Sequence, residues 1–241
     1  VLDDADVDRV LVVTAHPDDV DFGCAGTIAQ WTDRGIEVTY CVVTDGDAGG
    51  FDERVPRAEM PAIRRAEQAA AAAEVGVSDV RFLGYADGRL EVGLGLRRDI
   101  ARVIRDVRPQ RAVVQSPMWS FRSVYRSHPD HRAAGEAAMC AVYPDARNPF
   151  AFTELLADEG LRPWSVPETW IMVDEVDGPP HVVDVTETFA RKLAAIRAHA
   201  SQLSDPDALE DRIRGWLADN AARHGLPEGR LAETFTVVPT A

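Results

Sequence analysis

From Val10 to Val142 the chain alternates short β-branched, apolar runs with longer Ala-rich or amphipathic stretches, and this alternation narrows the folds open to it. Val10 to Val13 is a continuous apolar run that fits a strand buried on both faces. Gly26 to Trp31 opens a short helix closed near Gly35, and Ile36 to Thr44 reads as a second strand. An Ala-rich helix is expected from about Ala62 to Glu74, stopped at Gly76, with a strand at Val80 to Leu83 after it. Arg97 to Val107 reads as a further helix ended by Pro109. The strand Ala112 to Gln115 follows, and after a loop comes an Ala-rich helix that ends near Tyr143. Parallel strands need crossovers of this length. The expected fold class is therefore α/β: a three-layer, Rossmann-like sandwich with a mostly parallel sheet and helices on both faces.

Beyond Tyr143 the pattern changes. The stretch 144–167 carries Pro144, Pro149, Pro163 and Pro167 and reads as an irregular excursion, within which the apolar Phe150 to Leu156 is a candidate contact in a homo-oligomer. Thr169 to Val173 and His181 to Val185 read as strands joined by the turn Asp177-Gly178-Pro179-Pro180. Thr186 is placed to cap a helix carrying Ala190 to Ala200, Asp205-Pro206 starts another that ends by Gly225, and Phe235 to Val238 reads as an edge strand. These elements form a smaller C-terminal α+β portion. With 241 residues, 46% of them hydrophobic, one domain is expected over 1–241, its core in 1–143 and completed by 144–241.

Charge narrows the partners. The 26 Lys and Arg stand against 40 Asp and Glu, a net charge of −14, which repels phosphate backbones and argues against nucleic acid or an anionic membrane surface. A neutral small molecule is the expected substrate. No run approaches the roughly 20 apolar residues of a membrane span. Asp3, Asp4, Asp6 and Asp8 give the start of the chain the wrong character for a signal peptide. Cys24, Cys41 and Cys140 are odd in number, widely spaced and flanked by apolar residues, which points to buried thiols and a reducing, cytoplasmic setting.

Chemistry concentrates in two tetrapeptides, His16-Pro17-Asp18-Asp19 and His128-Pro129-Asp130-His131. Either alone is ordinary turn or helix-start composition. Together, each following a strand of one sheet, they supply what metal-assisted hydrolysis needs. A catalytic metal takes three protein ligands and keeps a position for water, and imidazole nitrogens with a carboxylate suit zinc or ferrous iron. His16 and Asp19 can converge from one proline-stiffened turn, and His131 is the natural third ligand. Asp18, between the two in sequence, stands where a general base is required. His128, with Asp130 two residues on, can be a charged imidazole that stabilises an oxyanion.

The segment Ala15 to Thr27, with Ser127-His128-Pro129-Asp130-His131 later, resembles the PIG-L or LmbE-like family of metal-dependent N-acetylglucosaminyl deacetylases. Supporting matches are Arg64-Arg65-Ala66-Glu67, Leu83 to Leu90, and His199-Ala200-Ser201-Gln202, so the likeness spans about Val10 to Gln202. The resemblance implies a zinc hydrolase that removes an acetyl group from an N-acetylglucosamine-containing conjugate. A neighbouring activity within such hydrolases is the amidase that cleaves a larger acyl group, as in mycothiol conjugate processing. By resemblance the metal ligands are His16, Asp19 and His131, the base is Asp18, His128 stabilises the tetrahedral intermediate, and Asp130 orients His128. Arg64 falls at a substrate-contacting arginine, its alternative being an exposed helix charge. Asp87 falls near the sugar site, its alternative being a plain Asp-Gly turn. Asp21, where many members carry glutamate, is expected to fix His16 or a loop amide. Trp119, Phe121, Tyr125 and Trp164 stand as sugar-stacking or packing aromatics.

Three rival classes share some of these features. Gly23-x-x-Gly26 is not the dinucleotide fingerprint, and no Walker sequence occurs. A non-haem iron oxygenase uses a similar ligand set and is separated by oxygen uptake. A catalytically dead binding protein is expected to lack Asp18 or a ligand, and all are present.

Overall fold

Strand-forming residues occur in this chain wherever the backbone must pass through the centre of the molecule, and helices wherever it returns along a face. The computed structural model describes residues 1–121, 124–172 and 179–241, and of Tyr125 and Arg126 the backbone alone. In chain order the elements are β1 (Arg9–Thr14), α1 (Asp19–Asp33), β2 (Glu37–Thr44), α2 (Met60–Glu74), β3 (Asp79–Tyr85), α3 (Leu94–Val107) and β4 (Arg111–Val114). There follow α4 (Pro129–Cys140), α5 (Thr153–Ala157), β5 (Glu168–Ile171), β6 (His181–Asp184), α6 (Phe189–Ala198), α7 (Leu209–Arg223) and β7 (Ala232–Pro239).

The described strands form one sheet in the order β3-β2-β1-β4-β5-β7-β6. The run from β3 to β5 is parallel, and β7 is antiparallel to both its neighbours. Alternate side chains of β1 serve opposite layers: Leu11 and Val13 pack with α3 and α4, whereas Val10 and Val12 pack with α1 and α2. Burial on both faces is why β1 reads as an unbroken apolar run. A smaller apolar cluster joins α6 and α7 through Leu193, Ile196, Ile213 and Leu217.

Some expectations are corrected. β7 lies inside the sheet, so Phe235 is fully buried and β6 takes the edge. Helix α1 begins at Asp19, well before Gly26, and breaks at Cys24, where φ is −148° and ψ is 16°. The break is filled by a buried ion pair from distant elements. Lys192 Nζ on α6 donates to the carbonyls of Asp21 and Phe22 at 2.9 and 2.7 Å and to Glu233 Oε1 at 2.7 Å. Glu233 on β7 accepts the amides of Gly26 and Thr27 at 3.0 and 2.8 Å and the Thr27 hydroxyl at 2.6 Å. Two carbonyls on one side of the break and two amides on the other thus meet charged partners. Thr186 does not cap α6; its hydroxyl donates to Asp184 and accepts the Leu231 amide. Residues 144–167 are largely irregular but include α5, with Leu155 buried and Phe150 exposed. Val173 and the Asp177-Gly178 part of the expected turn lie outside the described residues.

At the amino ends of the strands Arg111 is wholly buried. Its guanidinium donates to Glu168 and Asp4 at 2.9 and 2.7 Å and lies over the rings of Trp170 and Trp31 at 4.3 and 5.1 Å. The three cysteines are free, Cys24 and Cys41 buried and Cys140 partly so. No helix among the described residues is long and apolar enough to cross a membrane.

Candidate active site

The chain reverses its winding between β1 and β4, and the carboxyl ends of these neighbours are where an open α/β sheet leaves a crevice. His16 follows β1 by one residue, and His128 ends the loop that leaves β4. Gln115 ties the two exits together, its side chain accepting the Ala15 amide at 2.8 Å. Helix α4 then packs directly on this point, since a Cβ on Gly135 would stand 2.3 Å from the Gln115 carbonyl oxygen.

After β1 the turn is tight. His16 donates its amide to Asp19 Oδ2 at 2.7 Å, and Asp18 adopts φ 98° and ψ −30°, a positive-φ state that costs an L-residue on the order of 1–3 kcal/mol. His16 Nδ1 lies 3.3 Å from Asp19 Oδ2 and 3.2 Å from His131 Nε2, and His131 Nε2 lies 3.0 Å from Asp19 Oδ1. Bonds of about 2.0–2.1 Å to a tetrahedral zinc ion would put ligand atoms roughly 3.3 Å apart, so the three groups fit around one such ion. Imidazole and carboxylate donors suit zinc or ferrous iron. The other nitrogen of His16 is held from behind: Nε2 faces Asp87 Oδ1 at 3.1 Å and Asp130 Oδ2 at 3.3 Å, which leaves the Nδ1 lone pair for a metal. His128 adds a third imidazole, its nitrogen within 4.8 Å of those of His16 and His131.

Electrostatics agree with a cation-binding pocket. Burial opposes a charge on His16, but Asp19, Asp130 and Asp87 outweigh it and push its pKa up to about 12 where no cation shares the pocket. Burial likewise opposes ionisation of Asp19, yet His131 and His16 hold its carboxyl well below the usual range. His131 is raised, the attraction of Asp19 outweighing burial. Asp18 behaves differently: burial pushes it up to about 7, despite the guanidinium of Arg64.

Several roles expected from sequence are corrected. Asp130 does not orient His128 through its carboxylate, which instead meets His16 and accepts the amides of Gly88 and Leu90 at 2.6 and 3.2 Å. The Asp130 amide is what donates to His128 Nδ1, at 3.2 Å. Burial, with His16 and His131 nearby, lowers the His128 pKa, which disfavours the charged imidazole expected from sequence; in the neutral ring Nδ1 accepts the Asp130 amide and the proton sits on Nε2. Arg64 is neither an exposed charge nor an open substrate contact. It is 2% exposed, donates to Asp18 Oδ2 at 3.0 Å and also bonds the Pro17 carbonyl. Asp87 faces His16, and its amide donates to Asp47 Oδ1 at 2.8 Å. Asp21 touches neither His16 nor a loop amide; its Oδ2 accepts from Gln68 Nε2 and meets His199 Nε2, both at 2.8 Å. Trp164 packs on the core and donates to the Pro109 carbonyl at 2.8 Å. Trp119 and Phe121 lie stacked at 6.2 Å with Phe121 92% exposed, and the Tyr125 side chain lies outside the described residues.

Gln68 and His199 were legible only as neighbours or members of matching motifs. Gln68 stands one turn after Arg64 on α2, the i, i+4 spacing that puts both on one helix face, and its Oε1 accepts the Asp18 amide at 2.9 Å. Glu67 on α2 accepts the amide and hydroxyl of Ser201, both at 2.7 Å, which joins the two short motifs in space. A cleft of about 1060 Å³, lined in part by Trp31, Arg34, Trp170 and His181, lies at the opposite, amino ends of the strands and contains none of the motif residues.

A family model described as GlcNAc-PI de-N-acetylase, PIG-L, matches residues 11–142. Diacetylchitobiose deacetylase of Thermococcus kodakarensis is 34% identical over 236 residues, which cover 97% of this chain and 84% of that protein. A Bacillus anthracis protein named probable N-acetyl-alpha-D-glucosaminyl L-malate deacetylase 2 is 34% identical over 204 residues, 81% of this chain and 82% of its own. Among solved structures, N,N'-diacetylchitobiose deacetylase from Pyrococcus horikoshii, complexed with an inhibitor, superimposes with a TM-score of 0.86 at 32% identity, over 98% of this chain and 85% of that one.

Proposed function

This chain belongs to the PIG-L family of de-N-acetylases, and from that premise we propose that it is a zinc-dependent hydrolase acting on the N-acetyl group of an N-acetylglucosamine-containing conjugate. Its products are acetate and a free amine. The observation that carries this reading is the convergence of His16 Nδ1, Asp19 and His131 Nε2 within 3.0 to 3.3 Å of one another at two neighbouring strand ends. These three residues would hold the ion. When bound, zinc supplies Lewis acidity, drawing charge from the acetyl carbonyl and easing deprotonation of water.

The remaining steps fall to the chain's own side chains. Arg64 occupies Asp18 Oδ2, which leaves Oδ1 to take a proton from the attacking water. As the water oxygen bonds to the carbonyl carbon, negative charge develops on the carbonyl oxygen, and the Nε2–H of His128 in its neutral form is free to donate to it, Nδ1 being taken by the Asp130 amide. Asp130 and Asp87 hold the His16 ring while this happens. The carbon–nitrogen bond then breaks, and the proton taken by Asp18 is available to the departing amine.

The substrate class that suits the net charge of −14 is a neutral amino-sugar conjugate, as is the diacetylchitobiose for which one relative is named; the L-malate conjugate in the name of another, a probable deacetylase, is an anion. A sheet running unbroken from β3 to β6 supports reading 1–241 as one domain. With buried free thiols, a cytoplasmic setting is our reading. Metal analysis, followed by amine release from a panel of N-acetylglucosamine conjugates, is the test. Zinc-restorable release of acetate is expected. A zinc-loaded protein that hydrolyses none of the panel would overturn the proposal, and preference for longer acyl groups would reassign it as a larger-acyl amidase.

A further inference from the structure

The strained state of Asp18 needs a cause outside its own turn. Its side chain makes no capping bond to the start of α1. Its amide instead donates 2.9 Å to Gln68 Oε1. The other end of the Gln68 amide donates 2.8 Å to Asp21 Oδ2, and that same oxygen meets His199 Nε2 at 2.8 Å. Gln68, Asp21 and His199 are each fully buried. They come from α2, from α1 and from the end of α6, so the three bonds lock the backbone at residue 18 to three separate elements.

We propose that Gln68 is a positioning residue, its side-chain amide clamping the backbone at Asp18 in its positive-φ state, with Asp21 and His199 fixing which way that amide faces. Only one orientation serves. The Asp21 carboxylate can accept but not donate, so it turns the NH2 of Gln68 toward itself and the oxygen toward the Asp18 amide. His199 donates to the same carboxylate and keeps it in place. The clamp touches neither the proposed metal ligands nor the reacting atoms; it acts through Asp18. Lys192 holds the Asp21 carbonyl from the opposite side, so the base of the clamp is itself anchored.

This inference rests on the deacetylase reading for its kinetic arm alone. Two variants of Gln68 are informative. Gln68→Met keeps the volume and removes both bonds; Gln68→Glu keeps an acceptor for Asp18 but sets a like charge against Asp21. In each, hydrogen exchange at the Asp18 amide, followed on the peptide spanning 14–22, is expected to quicken by more than the accompanying fall in global stability accounts for, while zinc affinity of the folded protein stays near wild type. On a hydrolysable substrate kcat is expected to fall about 100-fold, the loss typical of a base displaced by about 1 Å, with KM within about twofold. His199→Gln retains a donor for Asp21 and is expected to keep most of the activity that His199→Leu loses. Unchanged exchange at residue 18 in Gln68→Met would overturn the proposal, as would activity lost only in step with zinc or with folded protein. A wild-type chain inactive on every substrate would sink the deacetylase reading, yet the exchange measurement would still decide the clamp.

Discussion

The two ends of the parallel strands hold buried charge in opposite ways. At the amino ends Arg111 meets Glu168, Asp4 and two indole faces, and Trp170 also donates to Glu168 at 2.7 Å. Arg34 pairs with Asp4 as well, so two guanidiniums stand against two carboxylates. At the carboxyl ends Asp18, Asp19, Asp87 and Asp130 crowd round the imidazoles of His16 and His131 and the guanidinium of Arg64, with His128 beside them. There one permanent cation faces four carboxylates, and protons held on imidazoles make up the difference. Matched buried charge contributes to holding elements together, whereas unmatched buried charge is destabilising by itself and marks a place that an outside cation relieves.

The sharpest way to break this contrast is at Asp18. Asp18→Asn is expected to lower kcat by about 10²- to 10⁴-fold, the range for losing a general base, while zinc content and melting temperature hold or rise. Full turnover with zinc bound would show that the crowded end has no base there.

Next in size is the matched end. Arg111→Met leaves Glu168 buried without its partner and is expected to cost about 3–5 kcal/mol in urea unfolding. Turnover per folded molecule should not change. Loss of zinc binding by the folded variant would erase the distinction between the two ends.

Zinc and pH sharpen it further. Zinc at about 100 times its dissociation constant should stabilise the fold by about 2.7 kcal/mol, and chelation should remove that. The pH trend in chelator is led by two strongly raised groups, with raised His131 acting in the same sense and lowered His128 against them. Asp18, pushed by burial from 3.8 to about 7, keeps in the folded chain a proton that the unfolded chain has shed, so its contribution is lost as pH climbs through about 7. His16, raised from 6.5 to about 12, contributes fully below about 6.5 and progressively less above it. The chelated protein should therefore melt at lower temperature as pH rises from about 5 to about 9, and zinc should flatten the slope. A slope of the opposite sign would contradict the excess of carboxylates over permanent cations.

The smallest effect is on the loop between β4 and α4. Phe121 is 92% exposed, and Phe121→Ser should change stability by no more than about 0.5 kcal/mol.

How much of this could be read from residues alone varies with the range of the contacts. β1, β2 and β4 are legible because they are buried on both faces and so become continuous apolar runs. The pairing of the two histidine motifs is legible because strand ends of one sheet converge by topology. The break in α1 is not, because the groups that satisfy it come from α6 and β7. β7 mixes Glu233, Thr234 and Thr236 with apolar residues, which resembles a half-exposed edge; Glu233 is buried for its partners, and no local pattern reveals them. The same limit explains Arg64, Asp21 and Asp130. Their residue types signal importance, but the partners Asp18, His199 and His16 stand 46, 178 and 114 positions away.

The amide of Gly26 bonds a carboxylate 207 positions downstream, so the break in α1 is satisfied from β7. Residues 11–142 contain every proposed ligand and the proposed base, yet a fragment cut to that span would lack Lys192, His199 and Glu233. Such long sequence separation carries a large loop-closure entropy before any contact offsets it. The corner that carries the proposed base and ligands is thus fully hydrogen-bonded only once β7 has joined the sheet.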